Sequence, residues 1–298
     1  MESKSNQTGC VSIIMVNYNS TQLLIEAIQS VVTHTHGISY EIIIVDNASP
    51  DNGADIIEAQ FGEGVKLIRS TENRGFGAAN NIGIANANGT YLFLLNPDTL
   101  LRNNVVLTFY QYCESHQQVP IGALGCILTN EEREPINSFG RFLTPARILS
   151  HALKMSRPPQ FQLTDEPFTT DFITGADLFI PRRVIETIGD FDPAFFMYCE
   201  EADLQYRMAQ AGFQRIIIPG PQIIHFDGGS YQQRARRSAL RRYQHDRSRC
   251  LYIRKHYPLW RYLLFRVAFF VCRIPALINP HYDLRSNFKY FLFLISMK

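Results

Sequence analysis

The chain has six cysteines, and no two of them are spaced Cys-x-x-Cys. That spacing is the common mark of zinc sites and redox dithiols, so separate reduced thiols are expected instead. There is no run of about 18 uncharged apolar residues, the length a membrane-spanning helix needs. The best stretch, 262–278, is broken by Arg266, Arg273 and Pro275. Residues 1–9 are polar, with Glu2 and Lys4, and lack the basic-then-apolar order of a signal peptide. A cytoplasmic protein is therefore expected, with the inner membrane face as its candidate peripheral location. No Gly-x-Gly-x-x-Gly follows the first strand-like run, which disfavours a dinucleotide-dependent dehydrogenase. Acidic residues are almost missing from one end. Residues 228–298 hold 15 Lys/Arg and 2 Asp, a balance of +13, whereas residues 1–227 hold 14 Lys/Arg and 25 Asp/Glu, a balance of −11. Such a basic segment calls for an anionic partner. Charge alone also fits nucleic acid, but nothing in the body supports that partner.

What is present is an ordinary globular composition, 298 residues with 46% hydrophobic, long enough for a large core. Short β-branched runs at 11–16, 40–45, 65–69 and 91–95 read as strands. The stretches 23–31, 54–61 and 78–87 have helical spacing. This alternation predicts an α/β fold with a mainly parallel sheet flanked by helices. Further strands are expected at 122–128, 172–181 and 215–219, a helix at 200–211, and a long loop with a helical piece at 141–170. The body is expected to end near residue 230, with a basic, amphipathic helical region over 231–298.

In an open parallel sheet, ligands bind beyond the carboxyl ends of the strands. Three strand ends carry polar groups: Asn17-Tyr18-Asn19, Asp46-Asn47 and Asn96-Pro97-Asp98. Asp46 can accept hydrogen bonds from a base or ribose, or can simply shape a turn. Asp98 is placed to hold Mg²⁺ or Mn²⁺ against diphosphate oxygens, or to end an Asn-Pro-Asp turn. Arg74 and Gly75, in the loop Asn73-Arg74-Gly75-Phe76-Gly77, suit a phosphate: the glycine allows close approach and the arginine supplies charge. Glu200, Glu201 and Asp203 lie within four positions, after an aromatic run. Crowded carboxylates raise one another's proton affinity, which suits a general base. Glu201 is the candidate base, with Glu200 and Asp203 as groups that orient it or bind acceptor hydroxyls. Acidic residues opening a helix are the simpler alternative. His225 alone reads as a structural hydrogen-bonder.

Together these segments resemble the family 2 glycosyltransferases, and more closely their rhamnosyltransferase-like branch, over residues 11–229. Val-Ser-Ile-Ile-Met-Val-Asn-Tyr-Asn-Ser at 11–20, Ile-Val-Asp-Asn-Ala-Ser at 44–49 and Asn-Arg-Gly-Phe-Gly-Ala-Ala-Asn-Asn at 73–81 are similar to that family's nucleotide-binding segments. Leu-Leu-Asn-Pro-Asp at 94–98 stands where the family has Asp-x-Asp, with Asn96 in place of the first acid. Thr-Gly-Ala-Asp at 174–177 looks like the loop bordering sugar and acceptor, which brings in Gly175. Cys-Glu-Glu-Ala-Asp-Leu at 199–204 resembles the Glu-Asp-x-Asp-Leu block, with Glu201 in place of the basic Asp. The resemblance implies the GT-A fold for residues 1–230, an inverting single displacement, a divalent metal, and His225 as a second metal ligand beside Asp98. It implies a UDP- or dTDP-sugar donor and a glycan or polyprenyl-diphosphate-linked acceptor, with rhamnose favoured. Two rivals remain open: a sugar nucleotidyltransferase, and a non-catalytic nucleotide-sugar-binding protein of the same fold.

Overall fold

The computed structural model describes residues 10–153, 155, 161–226, 239–277 and 283–296. β1 (Val11–Asn17) is buried along its whole length. Its side chains alternate: Val11, Ile13 and Met15 join one hydrophobic cluster, and Ile14 joins another on the opposite face. A strand covered on both faces must be a continuous apolar run, which is why 11–16 is legible. α1 (Thr21–His34) follows, with Leu24, Ala27, Ile28 and Val31 turned to the first face. β2 (Tyr40–Asp46), α2 (Gly53–Phe61), β3 (Lys66–Arg69), α3 (Phe76–Asn86) and β4 (Tyr91–Leu95) complete the alternation. β3, β2, β1 and β4 pair in parallel and in that order.

The second half of the sheet is mixed. β5 (Thr99–Leu101) leaves the main sheet, and α4 (Val105–Ser115) leads to β6 (Ile121–Gly125). β7 (Phe139–Gly140), α5 (Pro145–Ala152) and β8 (Phe168–Thr169) follow. The expected strand 172–181 is two strands, β9 (Phe172–Ile173) and β10 (Asp177–Pro181), separated by Thr174, Gly175 and Ala176. β10 lies antiparallel between β4 and β6. After α6 (Arg182–Ile188) and α7 (Glu200–Gln210), β11 (Gln214–Ile217) pairs parallel to β6. β12 (Ile223–His225) returns to pair with β5. α1, α2 and α4 cover one face of the sheet, and α3, α6 and α7 the other. α4 and α6 are additions to the expected elements. The Val-Val-Leu-Thr-Phe-Tyr start of α4 is β-branched and aromatic, so its composition speaks for a strand while its packing makes a helix.

α8 (Ala239–His256), α9 (Leu259–Leu277) and α10 (Leu284–Ile295) share a third cluster with Ile148 of α5 and with Phe195, Cys199 and Ala202. The C-terminal region therefore packs on the body. Part of its basic run turns inward. Arg273 and Arg249 reach the buried Asp246, which also accepts a short hydrogen bond from Tyr290 Oη. Arg266 is buried and donates to the last carbonyls of α10, Phe293 at 3.2 Å and Leu294 at 3.0 Å. Arg234, Arg236, Arg237 and the expected boundary at Ser230 lie outside the described residues.

Asp203 ties α7 to α8. Its carboxylate is fully buried and accepts from Arg207 Nε at 3.1 Å, Lys255 Nζ at 2.8 Å and His256 Nε2 at 2.8 Å. Burial works to raise its pKa, but the hydrogen bonds from His256 and Lys255 win and hold it below the usual carboxylate range. A carboxylate held low contributes stability above its unfolded pKa of about 4, and loses it as pH falls through the folded value. Asp203→Asn should therefore cost on the order of 2 kcal/mol at neutral pH, less than a fully buried pair because Lys255 keeps some solvent. Thermal melts across pH check this: the gap between wild type and variant should be widest at neutral pH and should close in strong acid.

Candidate active site at the strand ends

The carboxyl ends of β1, β2 and β4 gather the expected residues. Asn17 is fully buried; its Nδ2 donates to Asp46 Oδ1 at 2.9 Å and to Ser49 Oγ at 3.2 Å. Asp46 Oδ2 accepts from the Ser49 amide at 3.2 Å. Each Asp46 oxygen thus has one internal donor and keeps acceptor capacity for a ligand. Ala48 takes φ 58, which the tight Asp46–Ser49 turn requires of it. Tyr18 is exposed, as is Asn19, which also sits in the left-handed region at φ 55 and donates its amide to Ser49 Oγ. The turn holds an aromatic ring at the rim and buries the polar groups that shape it.

Asn47 acts as a clamp. Its Oδ1 accepts from the Arg74 amide at 3.0 Å, and its Nδ2 donates to Asn73 Oδ1 at 3.0 Å. This fixes the 73–75 loop to the end of β2. The Arg74 side chain is half exposed and pairs with Glu72 Oε1 at 3.3 Å. Its charge is available at the rim. Gly75 has φ +84, and a Cβ built on it would lie 1.9 Å from the Phe196 carbonyl oxygen. The next amide, Phe76 N–H, donates to that same oxygen at 3.0 Å. Glycine is required here on both counts.

That contact carries the loop to the acidic helix. Tyr198 and Cys199 take consecutive left-handed conformations, φ 69 and 68, immediately before Glu200. Two such non-glycine residues in a row are strained, and the packing around them holds the turn. Glu200 is buried, and its Oε2 has no hydrogen-bond partner among the described residues. Burial raises its pKa well above the usual carboxylate range, and the neighbouring Glu201 charge adds to this. Glu201 is half-buried, and its pKa is raised by burial against the pull of the backbone amides of Glu201 and Ala202. Both carboxyls of the pair are thus held above the usual carboxylate range, Glu200 the further. Gly175 leaves room beside Glu201: a Cβ there would lie 3.8 Å from Glu201 Cβ and 3.2 Å from the Phe76 ring. Asp203 does not stand free beside this pair, since it is committed to α8.

Asp98 and His225 meet. The pairing of β12 with β5 sets His225 opposite Thr99, and His225 Nε2 lies 3.2 Å from Asp98 Oδ1. The side chains are largely buried, 12% and 13% exposed. Neighbouring ligands on an octahedral Mg²⁺ or Mn²⁺ lie about 3 Å apart, so this carboxylate and imidazole fit one edge of such an ion. The described residues hold no cluster of three His, Cys, Asp or Glu for a metal. Two protein ligands leave positions for substrate oxygens and water, as suits a hard cation at a diphosphate. Asn96 closes the β4 end: its amide donates to the Ala176 carbonyl at 3.0 Å, and Thr99 Oγ1 donates to its own carbonyl at 2.7 Å.

One group was not singled out from the sequence. Asp177 is fully buried on β10 opposite Leu95, just beneath the Asn96–Asp98 turn. Burial pushes its pKa up to about 7, against a 2.7 Å hydrogen bond from the Cys126 amide and the influence of His225. The only sequence signal was its place in Thr-Gly-Ala-Asp.

The profile of Glycosyl transferase family 2 matches residues 12–188. Rhamnosyltransferase WbbL of Escherichia coli (strain K12) is 27% identical over 165 residues, covering 51% of this chain and 61% of WbbL. The low-salt glycan biosynthesis hexosyltransferase Agl10 of Haloferax volcanii is 27% identical over 202 residues, covering 66% of this chain and 61% of Agl10. The matched part spans less than two thirds of either relative's length. Among solved structures, GalNAc-T7 with UDP, GalNAc and Mn²⁺ superposes with a TM-score of 0.62 at 14% identity, over 97% of this chain and 56% of that one. That likeness bears out the expected GT-A fold.

The Gly75 contact has a direct test. Gly75→Ala puts a methyl group into the Phe196 carbonyl at a backbone angle that L-residues rarely adopt, so it should cost about 1–3 kcal/mol. Gly64→Ala, where a Cβ would meet nothing within 4 Å, should leave stability within about 0.5 kcal/mol. Denaturant unfolding of the two variants measures the difference.

Proposed function

Because the chain belongs to glycosyltransferase family 2, we propose that it moves a sugar from a UDP- or dTDP-sugar to a hydroxyl of a glycan or polyprenyl-diphosphate-linked acceptor. The reaction is a single displacement with inversion, in the assembly of a bacterial cell-surface polysaccharide at the inner face of the cytoplasmic membrane. Rhamnose is the favoured sugar, in keeping with the rhamnosyltransferase relative. The observation that carries the reading is the approach of Asp98 and His225 to 3.2 Å from distant parts of the chain, at the end of the nucleotide-binding strands. A structural neighbour solved with UDP and Mn²⁺ supports a divalent ion at such a site.

Each residue has a role that its surroundings allow. Asp46 accepts from the nucleoside, with Tyr18 at the rim and Asn17, Asn19 and Asn47 holding the pocket's shape. Arg74 lies with its charge at the diphosphate, over the backbone of Gly75. Asp98 and His225 are the residues that would hold Mg²⁺ or Mn²⁺; the ion would neutralise the charge gathering on the leaving nucleoside diphosphate. Asn96 shapes that turn and carries no charge. Gly175 keeps the sugar side open. As the acceptor oxygen forms its bond to the anomeric carbon, the bond to the diphosphate oxygen breaks and the hydroxyl proton passes to Glu201. Glu200 is buried beside the base, and its raised pKa disfavours a second negative charge there. Asp203 holds α7 in place through α8 and is a positioning residue.

The test is a donor screen with Mg²⁺ or Mn²⁺, reading nucleoside diphosphate release with and without acceptor hydroxyls. Acceptor-dependent release is expected. Pyrophosphate release would mark a nucleotidyltransferase, and binding without turnover across a broad acceptor panel would mark a binding protein. Turnover should rise with pH through a value above the usual carboxylate range, because burial raises the pKa of Glu201 and the base must be ionised. Glu201→Gln should lower kcat by about 100-fold or more with donor affinity retained. Glu200→Gln, which keeps the neutral form, should lose far less. Near-wild-type turnover by Glu201→Gln would remove the base from this scheme.

A further inference from the structure

The C-terminal helices spend only part of their surface on the body. On α9, Trp260, Leu264, Val267, Val271 and Ile274 are exposed, from 46% to 64%. At about 100° per residue they fall within one arc of roughly 100°. The opposite side of α9, with Tyr262, Phe265, Arg266 and Phe269, is buried. On α10, Leu284, Phe288, Leu292 and Ile295 are likewise exposed on one face, while Asn287, Tyr290, Phe293 and Leu294 are buried. A soluble domain gains nothing from leaving so many large apolar side chains wet, and a contiguous patch of this kind marks an interaction surface.

The contacts between the two helices show how the stripes combine. Arg266 donates to the carbonyls of Phe293 and Leu294, the Phe270 and Phe291 rings lie 6.4 Å apart, and Arg242 joins the Ala276 carbonyl to Asn287. Rising numbers on α9 meet falling numbers on α10, so the pair is antiparallel. On each helix the exposed stripe is displaced from the contact line in the same rotational sense. In an antiparallel pair, that places both stripes on one side. They form a single two-helix face.

The margins of this face are cationic: Arg261 on α9 and Arg285 and Lys289 on α10 are exposed and fall beside the stripes at helical spacing. The described residues from 239 onward include 11 Lys/Arg and 2 acids. Of those acids, Asp246 is buried in ion pairs and Asp283 caps α10. A second copy of the chain laid on this face would set cation against cation. No described helix is long and apolar enough to cross a membrane. An anionic surface that also takes apolar side chains meets both demands, and a bilayer of anionic lipid is such a surface.

We infer that the α9–α10 hairpin is an in-plane seat on an anionic bilayer, with the stripe of Trp260 to Ile274 and that of Leu284 to Ile295 entering the headgroup boundary and the basic margin lying on the headgroups. The inference deepens the proposed membrane-side reading by naming the face that docks. α8 links that face to the acidic helix through Lys255, His256 and Asp203. An acceptor held in the bilayer then meets Glu201 at a fixed height.

Flotation of the full chain with vesicles of phosphatidylglycerol and phosphatidylcholine, against phosphatidylcholine alone, tests this. The wild type should float with the anionic vesicles at low salt, and rising salt should weaken that binding. Leu264→Glu with Val267→Glu should lower binding about tenfold or more, and Arg261→Glu with Arg285→Glu should remove the preference for anionic lipid. Unchanged melting temperatures show that the variants fold. The inference is overturned if the wild type does not float at low salt, or if the glutamate pair floats as the wild type does. It is also overturned if the wild type is a dimer that the glutamate pair breaks, which would give the face to a second copy. Flotation needs no turnover. A protein that floats but transfers no sugar would strike the proposed function and leave this inference standing.

Discussion

The site depends on one backbone contact. The loop that carries Arg74 belongs to the nucleotide half of the sheet, and the turn that presents Glu201 belongs to the other half. They meet where Gly75 lies against the Phe196 carbonyl and the Phe76 amide donates to it. Asn47 anchors the first partner to β2 through the Arg74 amide. The second partner is set by the left-handed pair Tyr198 and Cys199, and by Asp203 beneath it. The Arg74 loop and the turn into α7 are thus held together by main-chain atoms, which have no rotamers to relax. A single displacement needs its reacting groups held in that way.

Electrostatics divides the molecule along the same line. Asp98 and His225 meet beyond the end of β4, where the proposed reaction gathers negative charge. Glu200 and Glu201 open α7, where the proposed reaction takes a proton. Burial raises both glutamates, Glu200 the further. Asp203, two residues further on, goes the opposite way because His256, Lys255 and Arg207 all pair with its carboxylate. Three acids within four positions therefore have three different environments. The differences come from depth and from α8, and helix position alone would not produce them.

Sequence patterns revealed the parts of the fold that depend on local order. β1, β2 and β4 are buried on both faces along most of their length, so their apolar runs are nearly unbroken and easy to read, whereas the edge strand β3 is largely exposed. Asp46, Asp98 and the Gly75 loop follow those strands directly. What could not be read depends on distant pairing. His225 reaches Asp98 through the β12–β5 pair, and only the family resemblance pointed to it. Asp203 read as a free acid because its partners, Lys255 and His256, lie within a basic run some 50 positions away. That same run divides into arginines turned inward and a cationic margin turned outward, and no count of charge separates the two. The break at Thr174–Ala176 is another such case: an extended apolar pattern gives no warning that it serves two sheets.

The central claim is that Asp98 and His225 face Arg74 across a nucleoside diphosphate, with Glu201 on the far side of the sugar. A crystal structure with UDP or dTDP and Mn²⁺ tests it most directly. Mn²⁺ is expected on Asp98 and His225, with the phosphates within reach of Arg74 and the nucleobase against Asp46. A metal bound elsewhere, or a nucleotide lying away from Asp46 with Asp98 and His225 still paired to each other, would contradict it.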